Sequence, residues 1–343
     1  MDYGQANLAF CATLLDSAAQ HGVRHVVICP GSRSTPLALA AAFHPGLATY
    51  VLIDERSAAF FALGVARQLG EPVALICTSG TAAANFAPAV VEAYLSRIPL
   101  LVLTADRPAE LRDWGASQTI DQVDLYGRHT LWSRDLPPPV GDALESRFAQ
   151  ATARRAANLA RGRPAGPVHL NLQFREPLLP ADTNPLDLLQ AHIASSATAP
   201  PAPPVAAPPS QSSVERLAGL IGSNARGIIV CGPHVGSDLG PAIAALSAAS
   251  GYPCLADPVS TVRFCWPATS GLIDAYDMFL RDARLGTQLD PELVLRIGGT
   301  PTSKPLAQFL SRQEVPVVAI DPGSLRDAGH AVMWHLSADE ETT

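Results

Sequence analysis

Short apolar runs of strand length recur along the chain, and a pattern typical of a helix separates each run from the next. In the first half, the runs are 25-HVVIC-29, 49-TYVLI-53, 73-VALIC-77, 99-PLLVLT-104 and 167-PVHLNLQF-174, and the helical patterns cover 7–21, 35–43, 57–69 and 82–97. The runs show no polar–apolar alternation, which is typical of strands buried on both faces. Their alternation with helices predicts a parallel sheet covered by helices on each side.

A second series of the same kind follows a stretch rich in proline and alanine. The stretch is SSATAPPAPPVAAPPSQSS at 195–213, and the later apolar runs are 227-GIIVC-231, 252-YPCLA-256, 292-ELVLRIG-298 and 315-VPVVAI-320. Prolines and small residues do not build a core, so the stretch indicates an extended linker. We therefore predict an α/β protein with two doubly wound parallel-sheet domains, at 1–185 and 214–343, joined by a linker at 186–213.

Charge and cysteine patterns exclude several classes of protein. The chain of 343 residues has a net charge of −7 and no Lys/Arg-rich run, which argues against nucleic acid as a main partner. No apolar stretch reaches the ~18 residues of a transmembrane helix, and the N-terminus lacks a signal-peptide pattern. The six cysteines form no Cys-x-x-Cys pair, so we expect reduced thiols in a cytoplasmic protein.

Ligands of doubly wound sheets bind beyond the carboxyl ends of the strands, so the loops there are the candidate site. In 30-PGSRSTPL-37, Arg33 suits a carboxylate, although a capped helix with a solvated arginine is an equal alternative. The loop 104-TADRPAELRDWGASQTIDQ-122 is long and rich in donors, as ligand-binding loops are, or is a surface excursion with local ion pairs. The loop 78-TSGTAAANFAP-88 offers hydroxyls and backbone N–H groups, and Pro88 should kink the following helix or delay its start.

The charged segment 54-DERS-57 stands between a strand and a helix that is apolar on every side. Asp54 or Ser57 can cap that helix, and the helix dipole alone would account for Glu55. A helix that is apolar all round is a buried helix, however. We therefore expect Glu55 to lie in a low-dielectric setting that suits a proton-sharing role.

Four of these blocks together resemble one enzyme family. PGSRSTPL, DERSAAFFALG, TSGTAAANF and LTADRPAELRDWGASQTIDQ are similar, in order and spacing, to 2-succinyl-5-enolpyruvyl-6-hydroxy-3-cyclohexene-1-carboxylate synthases. The match runs through most of residues 5–130 and continues more loosely into the second domain. These synthases are thiamine-diphosphate-dependent transferases of menaquinone biosynthesis, which decarboxylate 2-oxoglutarate and add the product to isochorismate in a 1,4-addition.

The resemblance implies a role for each matching residue. Glu55 would be the catalytic glutamate that hydrogen-bonds N1′ of the cofactor's aminopyrimidine, with Thr78, Ser79 and Gly80 lining the pyrimidine pocket. The residues implied to contact substrate or intermediate are Ser32, Arg33, Arg107, Gln118 and Lys304. Ser117 and Pro305 depart from residues found at these positions in some members of the family.

The resemblance also implies a third domain, which holds the diphosphate and Mg²⁺ through a Gly-Asp-Gly motif. The chain has no such motif. Its nearest match is Gly141-Asp142-Ala143, which lacks the second glycine and follows no hydrophobic strand. We therefore expect no metal ligands in this chain, and no activity from the chain alone. Its expected partners are further copies in a homodimer or tetramer, or a separate C-terminal subunit. The alternatives are a non-catalytic remnant or regulatory subunit, and a different thiamine-diphosphate decarboxylase.

Overall fold

A computed structural model describes residues 2–195, 208–234, 239–267, 271–282, 284, 289–312, 315–323, 325–327 and 329–338. Contacts divide the chain into two compact units, Met1–Pro204 and Val205–Thr343. Each unit contains one six-stranded sheet, and every pair of neighbouring strands is parallel. The predicted α/β fold class is therefore confirmed.

The first unit has the strand order β2-β1-β3-β4-β6-β5. Its strands are β1 (His25–Ile28), β2 (Ala48–Val51), β3 (Val73–Cys77), β4 (Leu100–Asp106), β5 (Trp132–Leu136) and β6 (Pro167–Gln173). Its helices are α1 (Tyr3–Gln20), α2 (Thr35–Ala42), α3 (Glu55–Leu69), α4 (Thr81–Asn85), α5 (Ala87–Ser96), α6 (Ala143–Ala160) and α7 (Pro185–Ser195).

Helices lie on both faces of this sheet. On one face, α1, α2 and α6 form a continuous core with alternate residues of the central strands, such as Ala74 and Ile76. On the other face, α3 and α5 pack against each other, and α3 packs against β3. The apolar runs predicted β1, β2, β3, β4 and β6, of which β3, β4 and β6 are fully buried. The expected burial is wrong for β2, which is an edge strand with no fully buried residue.

Proline divides the helix predicted over 82–97. The helix α4 ends at Asn85 and α5 begins at Ala87, with Pro88 in its first turn. Proline is tolerated in the first turn of a helix, where its missing N–H has no partner to lose. The expectation that Pro88 delays the start of a helix is confirmed.

The predicted linker is helical at both of its ends. The helix α7 covers its first residues, and Leu189 of this helix is buried in the first core. The helix α8 begins at Gln211, where the side chain of Ser210 accepts a hydrogen bond from the Ser213 N–H. Residues 196–207, which hold most of the prolines, lie outside the described residues. The described ends of this stretch are thus helical rather than extended.

The second unit has the strand order β12-β11-β10-β7-β8-β9. Its strands are β7 (Gly227–Cys231), β8 (Cys254–Ala256), β9 (Leu272–Ile273), β10 (Leu293–Ile297), β11 (Val317–Ile320) and β12 (Val332–Leu336). The helices among its described residues are α8 (Gln211–Ser223), α9 (Gly240–Ser250), α10 (Tyr276–Leu280) and α11 (Lys304–Arg312). Apolar clusters on both faces of the sheet make it doubly wound.

Candidate active site

The carboxyl ends of β1, β3, β4 and β6 meet at one edge of the first sheet, because these strands are parallel neighbours. The loops predicted to form a site follow these strands. Residues 29–34 come after β1, 78–80 after β3 and 107–122 after β4. The edge therefore gathers side chains that are up to about 90 positions apart in the sequence.

The turn after β3 is held in a conformation that glycine alone adopts readily. Gly80 has φ 85° and ψ −147°, and its N–H donates to the side-chain oxygen of Gln122 at 2.8 Å. A Cβ atom at Gly80 would lie 3.0 Å from Cγ of Gln118. Ser79 is buried beside it. Its contacts with Gln118 and Gln122 thus fix this turn at the edge of the sheet.

Thr78 carries a buried hydroxyl that has no hydrogen-bond partner among the described residues. A Cβ atom at Gly31 would lie 2.4 Å from Cβ of Thr78, so the loop after β1 packs directly on this threonine. An unpartnered buried hydroxyl is costly, and in native structures it points to a group that completes it.

Arg107 and Gln118 close around the same turn. The guanidinium of Arg107 donates to Oγ of Ser79 and to the backbone oxygen of Gln118, the latter at 2.6 Å. The Gln118 side-chain amide donates to the backbone oxygen of Ser79 at 3.0 Å. Three of the predicted site residues are thus in direct contact, and the loop after β4 is anchored to the turn after β3.

Arg33 is almost buried beside this cluster. Its Nη1 donates to the backbone oxygen of Phe174 at 3.0 Å, and its Nη2 donates to Oε1 of Glu176 at 2.8 Å. Burial lowers the pKa of Arg107, and the positive charge of Arg33 lowers it further. The two guanidinium groups are therefore close enough to repel each other, as they would be in a site for an anion.

The other residue predicted in this loop, Ser32, is exposed. Its carbonyl oxygen accepts hydrogen bonds from Thr35, at 3.1 Å from the backbone N–H and 2.7 Å from the hydroxyl. Ser34 occupies the N-cap position of α2 without a side-chain capping bond. The structure thus places Ser32 just before the start of α2, as an exposed residue.

Glu55 is the first residue of α3. Asp54 caps this helix, because its carboxylate accepts from the Ser57 N–H at 2.7 Å. Burial raises the pKa of the Cys29 thiol to about 12, and the negative charge of Glu55 contributes to that rise. Burial, the neighbouring Cys29 and the charge of Glu55 raise the pKa of Cys77. The Glu55 carboxylate thus lies near the ends of β1 and β3.

The expected burial of α3 on every side is wrong for this chain. Its buried positions are Ala58, Ala59, Ala62 and Ala66, whereas Phe60 is 44% exposed and Phe61 39%. Glu55 is half-buried rather than enclosed. An apolar pattern identifies a helix that avoids water, but it does not distinguish burial in a core from burial beneath a partner.

The sequence analysis did not predict a buried polar network that lies beneath the loops. Asp106 and Asp135 both accept hydrogen bonds from Arg112 and from the side-chain amide of Asn171. Burial raises the pKa of Asp106. Burial acts in the same direction on Asp135, but hydrogen bonds from Arg112, Asn171 and Gln173 outweigh it and lower the pKa. Arg112 therefore makes local ion pairs, as the alternative interpretation of its loop held.

The network reaches the turn after β3 through Gln122. This fully buried side chain donates to the backbone oxygen of Ala105 at 3.2 Å and to Oδ1 of Asn171 at 2.9 Å, while it accepts from Gly80. Asparagine and glutamine in the run 167-PVHLNLQF-174 were the available signal, because polar residues in a buried strand need partners.

Lys304 lies in the second unit, where it is the first residue of α11 and is exposed. The helix is capped by Ser303, whose hydroxyl accepts from the Leu306 N–H at 3.2 Å and donates to Asp277 at 2.6 Å. Lys304 thus stands at a strand-to-helix turn, as the sequence predicted.

The described part of the chain contains neither a cluster of metal-binding side chains nor a membrane-spanning helix. Among those residues, no group of three or more His, Cys, Asp or Glu side chains is arranged to hold a metal ion. None of the helices described there is both long enough and apolar enough to cross a membrane.

None of the six cysteines forms a disulfide bond, and each of them except Cys265 is buried. In the second unit, Cys231 and Cys254 lie with their sulfur atoms 3.6 Å apart in a thiol hydrogen bond.

Comparison with known proteins identifies relatives of the whole chain. Residues 10–125 match the family described as "Thiamine pyrophosphate enzyme, N-terminal TPP binding domain". A 2-succinyl-5-enolpyruvyl-6-hydroxy-3-cyclohexene-1-carboxylate synthase of Chloroflexus aurantiacus is 48% identical over 331 residues, which cover 96% of this chain and 55% of that protein. Synthases of the same name from Geobacillus kaustophilus and Roseiflexus castenholzii are 47% and 45% identical, over 57% and 58% of their lengths. The chain thus spans just over half the length of these relatives.

Proposed function

We propose a function from the premise that the chain belongs to the 2-succinyl-5-enolpyruvyl-6-hydroxy-3-cyclohexene-1-carboxylate synthase family. The chain forms the pyrimidine-binding part and the middle part of a thiamine-diphosphate-dependent transferase of menaquinone biosynthesis. That enzyme decarboxylates 2-oxoglutarate and adds the product to isochorismate. We assign the diphosphate and Mg²⁺ to the portion of the relatives' length that this chain does not span.

The residues at the first sheet edge fit the aminopyrimidine ring of the cofactor. Thr78 has a buried hydroxyl without a partner among the described residues, and the turn through Ser79 and Gly80 follows it directly at the same edge. Glu55 supplies the carboxylate, at the start of α3. When bound, thiamine diphosphate supplies the electron sink for decarboxylation of a 2-oxo acid.

Glu55 shares a proton with N1′ of the pyrimidine. The carboxylate belongs to the first turn of α3. Phe60 and Phe61 expose apolar surface on the same helix. If a second copy covers that surface, water is excluded around Glu55 and the shared proton is held more strongly.

Arginines bind the carboxylates of the two substrates. Arg33 and Arg107 provide two guanidinium groups at one place, and guanidinium is the side-chain group best matched to a carboxylate. Gln118 and Ser32 belong to loops at the same edge, and the family resemblance implies substrate binding by Lys304 as well. The contact of Arg107 with Ser79 and Gln118 carries the proposal, because it joins the substrate-binding loop to the pyrimidine-binding turn.

We further propose that the protein acts in the cytoplasm as a homodimer or tetramer, or with a separate C-terminal subunit. The support is an exposed apolar surface on β2, its following loop and α3. Ile53 is 88% exposed and Val51 66%, and Phe60 and Phe61 adjoin them along the chain. Apolar surface of this kind typically marks a protein–protein interface.

Reconstitution tests the proposed activity. The chain is mixed with the C-terminal segment of a relative, thiamine diphosphate, Mg²⁺, 2-oxoglutarate and isochorismate, and CO₂ release is measured. The proposal predicts release that requires both polypeptides. No release from a complex shown to have formed would favour the non-catalytic alternative, in which the fold survives without the chemistry.

A further inference from the structure

Glu176 lies against Arg33, at the place where the proposed function puts a substrate carboxylate. Its Oε1 accepts from Nη2 of Arg33 at 2.8 Å. The side chain of Arg33 is 9% exposed, whereas that of Glu176 is 70% exposed. The contact therefore joins a cation that is fixed in the protein to an anion that extends into solvent.

Arg33 does not need Glu176 to hold its position. Its Nη1 donates to the backbone oxygen of Phe174, and Phe174 is fully buried. The Phe174 N–H in turn donates to the backbone oxygen of Asp106 at the end of β4. The guanidinium is thus anchored to the sheet backbone, and it remains in place if the carboxylate leaves.

The site favours an anion at this point. The positive charge of Arg33 lowers the pKa of Arg107, and the negative charges of Asp106 and, less strongly, Glu176 act in the opposite direction. Two partly desolvated cations side by side are unfavourable without a counter-charge. Asp106 is buried and Glu176 is mostly exposed, so Glu176 is the one of these two counter-charges that solvent and substrate can reach.

A neighbouring ion pair shows how a more permanent contact is built. Arg175 donates from Nε and Nη2 to the two carboxylate oxygens of Glu110, at 2.6 Å and 3.1 Å. That pair is bidentate, whereas the contact of Glu176 with Arg33 is a single hydrogen bond. A single bond to a mostly exposed carboxylate is the weaker and more easily exchanged arrangement.

We propose that Glu176 is an internal carboxylate that occupies Arg33 when substrate is absent and gives way to a carboxylate of the dicarboxylate substrate. This inference rests on the proposed function, because it takes Arg33 as a substrate-binding residue. Glu176 then competes with substrate and sets the affinity for it. Removal of its charge should tighten binding, whereas removal of a positioning residue would weaken it.

The experiment measures glutarate binding to the full 343-residue chain by calorimetry at constant ionic strength. Glu176→Gln should lower the dissociation constant about two- to five-fold, since exposed ion pairs contribute little and their loss frees the arginine only modestly. Glu110→Gln is the matched control. It removes the same charge from a neighbouring exposed pair but leaves Arg33 unchanged, so its dissociation constant should equal that of the wild type.

Three results would overturn the proposal: an equal or higher dissociation constant in Glu176→Gln, equal tightening in both variants, or no glutarate binding to any of them. In the reconstituted enzyme, Glu176→Gln should also lower KM for 2-oxoglutarate and leave kcat within about two-fold. Absence of catalysis in the wild-type mixture would count against the proposed function, while the calorimetric comparison would still decide whether Glu176 exchanges.

Discussion

Gln122 joins the turn after β3 to the buried polar network, and its replacement by methionine should loosen that turn. The two side chains have similar length, so Gln122→Met removes hydrogen bonds and leaves little cavity. Three partners lose a bond: the Gly80 N–H at 2.8 Å, the Ala105 carbonyl at 3.2 Å and Oδ1 of Asn171 at 2.9 Å.

The three losses do not weigh equally. Oδ1 of Asn171 still accepts from the Thr104 hydroxyl at 2.8 Å. The buried Gly80 N–H loses the acceptor that the structure gives it, and an unsatisfied buried donor costs about 1–3 kcal/mol. We therefore expect the first unit to lose about 2 kcal/mol of unfolding free energy, which corresponds to roughly 30-fold faster exchange of the Gly80 amide hydrogen.

Urea unfolding and hydrogen exchange measure these two quantities. The matched control is Gln150→Met, because Gln150 is exposed on α6 and its replacement should change the stability by less than about 0.5 kcal/mol. Unchanged stability of Gln122→Met, together with unchanged protection of the Gly80 amide, would refute the view that Gln122 holds the turn.

Two further predictions concern the first unit. Burial lowers the pKa of His169 to about 4, whereas the unfolded chain protonates this residue near pH 6.5. The stability of the folded state should therefore fall by about 3 kcal/mol as the pH drops from 6.5 to about 4. The pH dependence of urea unfolding should be flatter in His169→Gln, and an identical dependence in both proteins would contradict this. Ile53→Asp should shift the chain towards the monomer in analytical ultracentrifugation, because a charge on an apolar interface is costly, whereas Leu144→Asp, at an exposed position on α6, should not. Equal sedimentation of wild type and Ile53→Asp would argue against this surface as the interface.

The sequence predicted the central strands well and the edge strands poorly. Fully buried strands such as β3 and β4 need apolar residues throughout, so their runs stand out. The strand β5, with the sequence WSRDL, lies at the edge of the sheet, and its polar side chains serve the buried network. A strand of that composition has no apolar run to reveal it.

Some residues of the candidate site could likewise be predicted from the sequence, and others could not. Arg107 and Gln118 could be predicted because local blocks of sequence identified them. Gln122 and Glu176 could not, because their partners, Gly80 and Arg33, lie 42 and 143 positions away. Glu55 was expected to be enclosed, but only one face of the helix α3 that carries it is buried within this chain.

The exchange of the C2 proton of thiamine diphosphate tests the role of Glu55 most directly. The chain, combined with the C-terminal segment of a relative and Mg²⁺, is followed by NMR in deuterated water, with circular dichroism to confirm the fold. Glu55→Gln should retain the fold and lose the accelerated exchange, because an amide does not share a proton with N1′ as a carboxyl group does. Exchange at the wild-type rate in a folded Glu55→Gln protein would contradict the assignment.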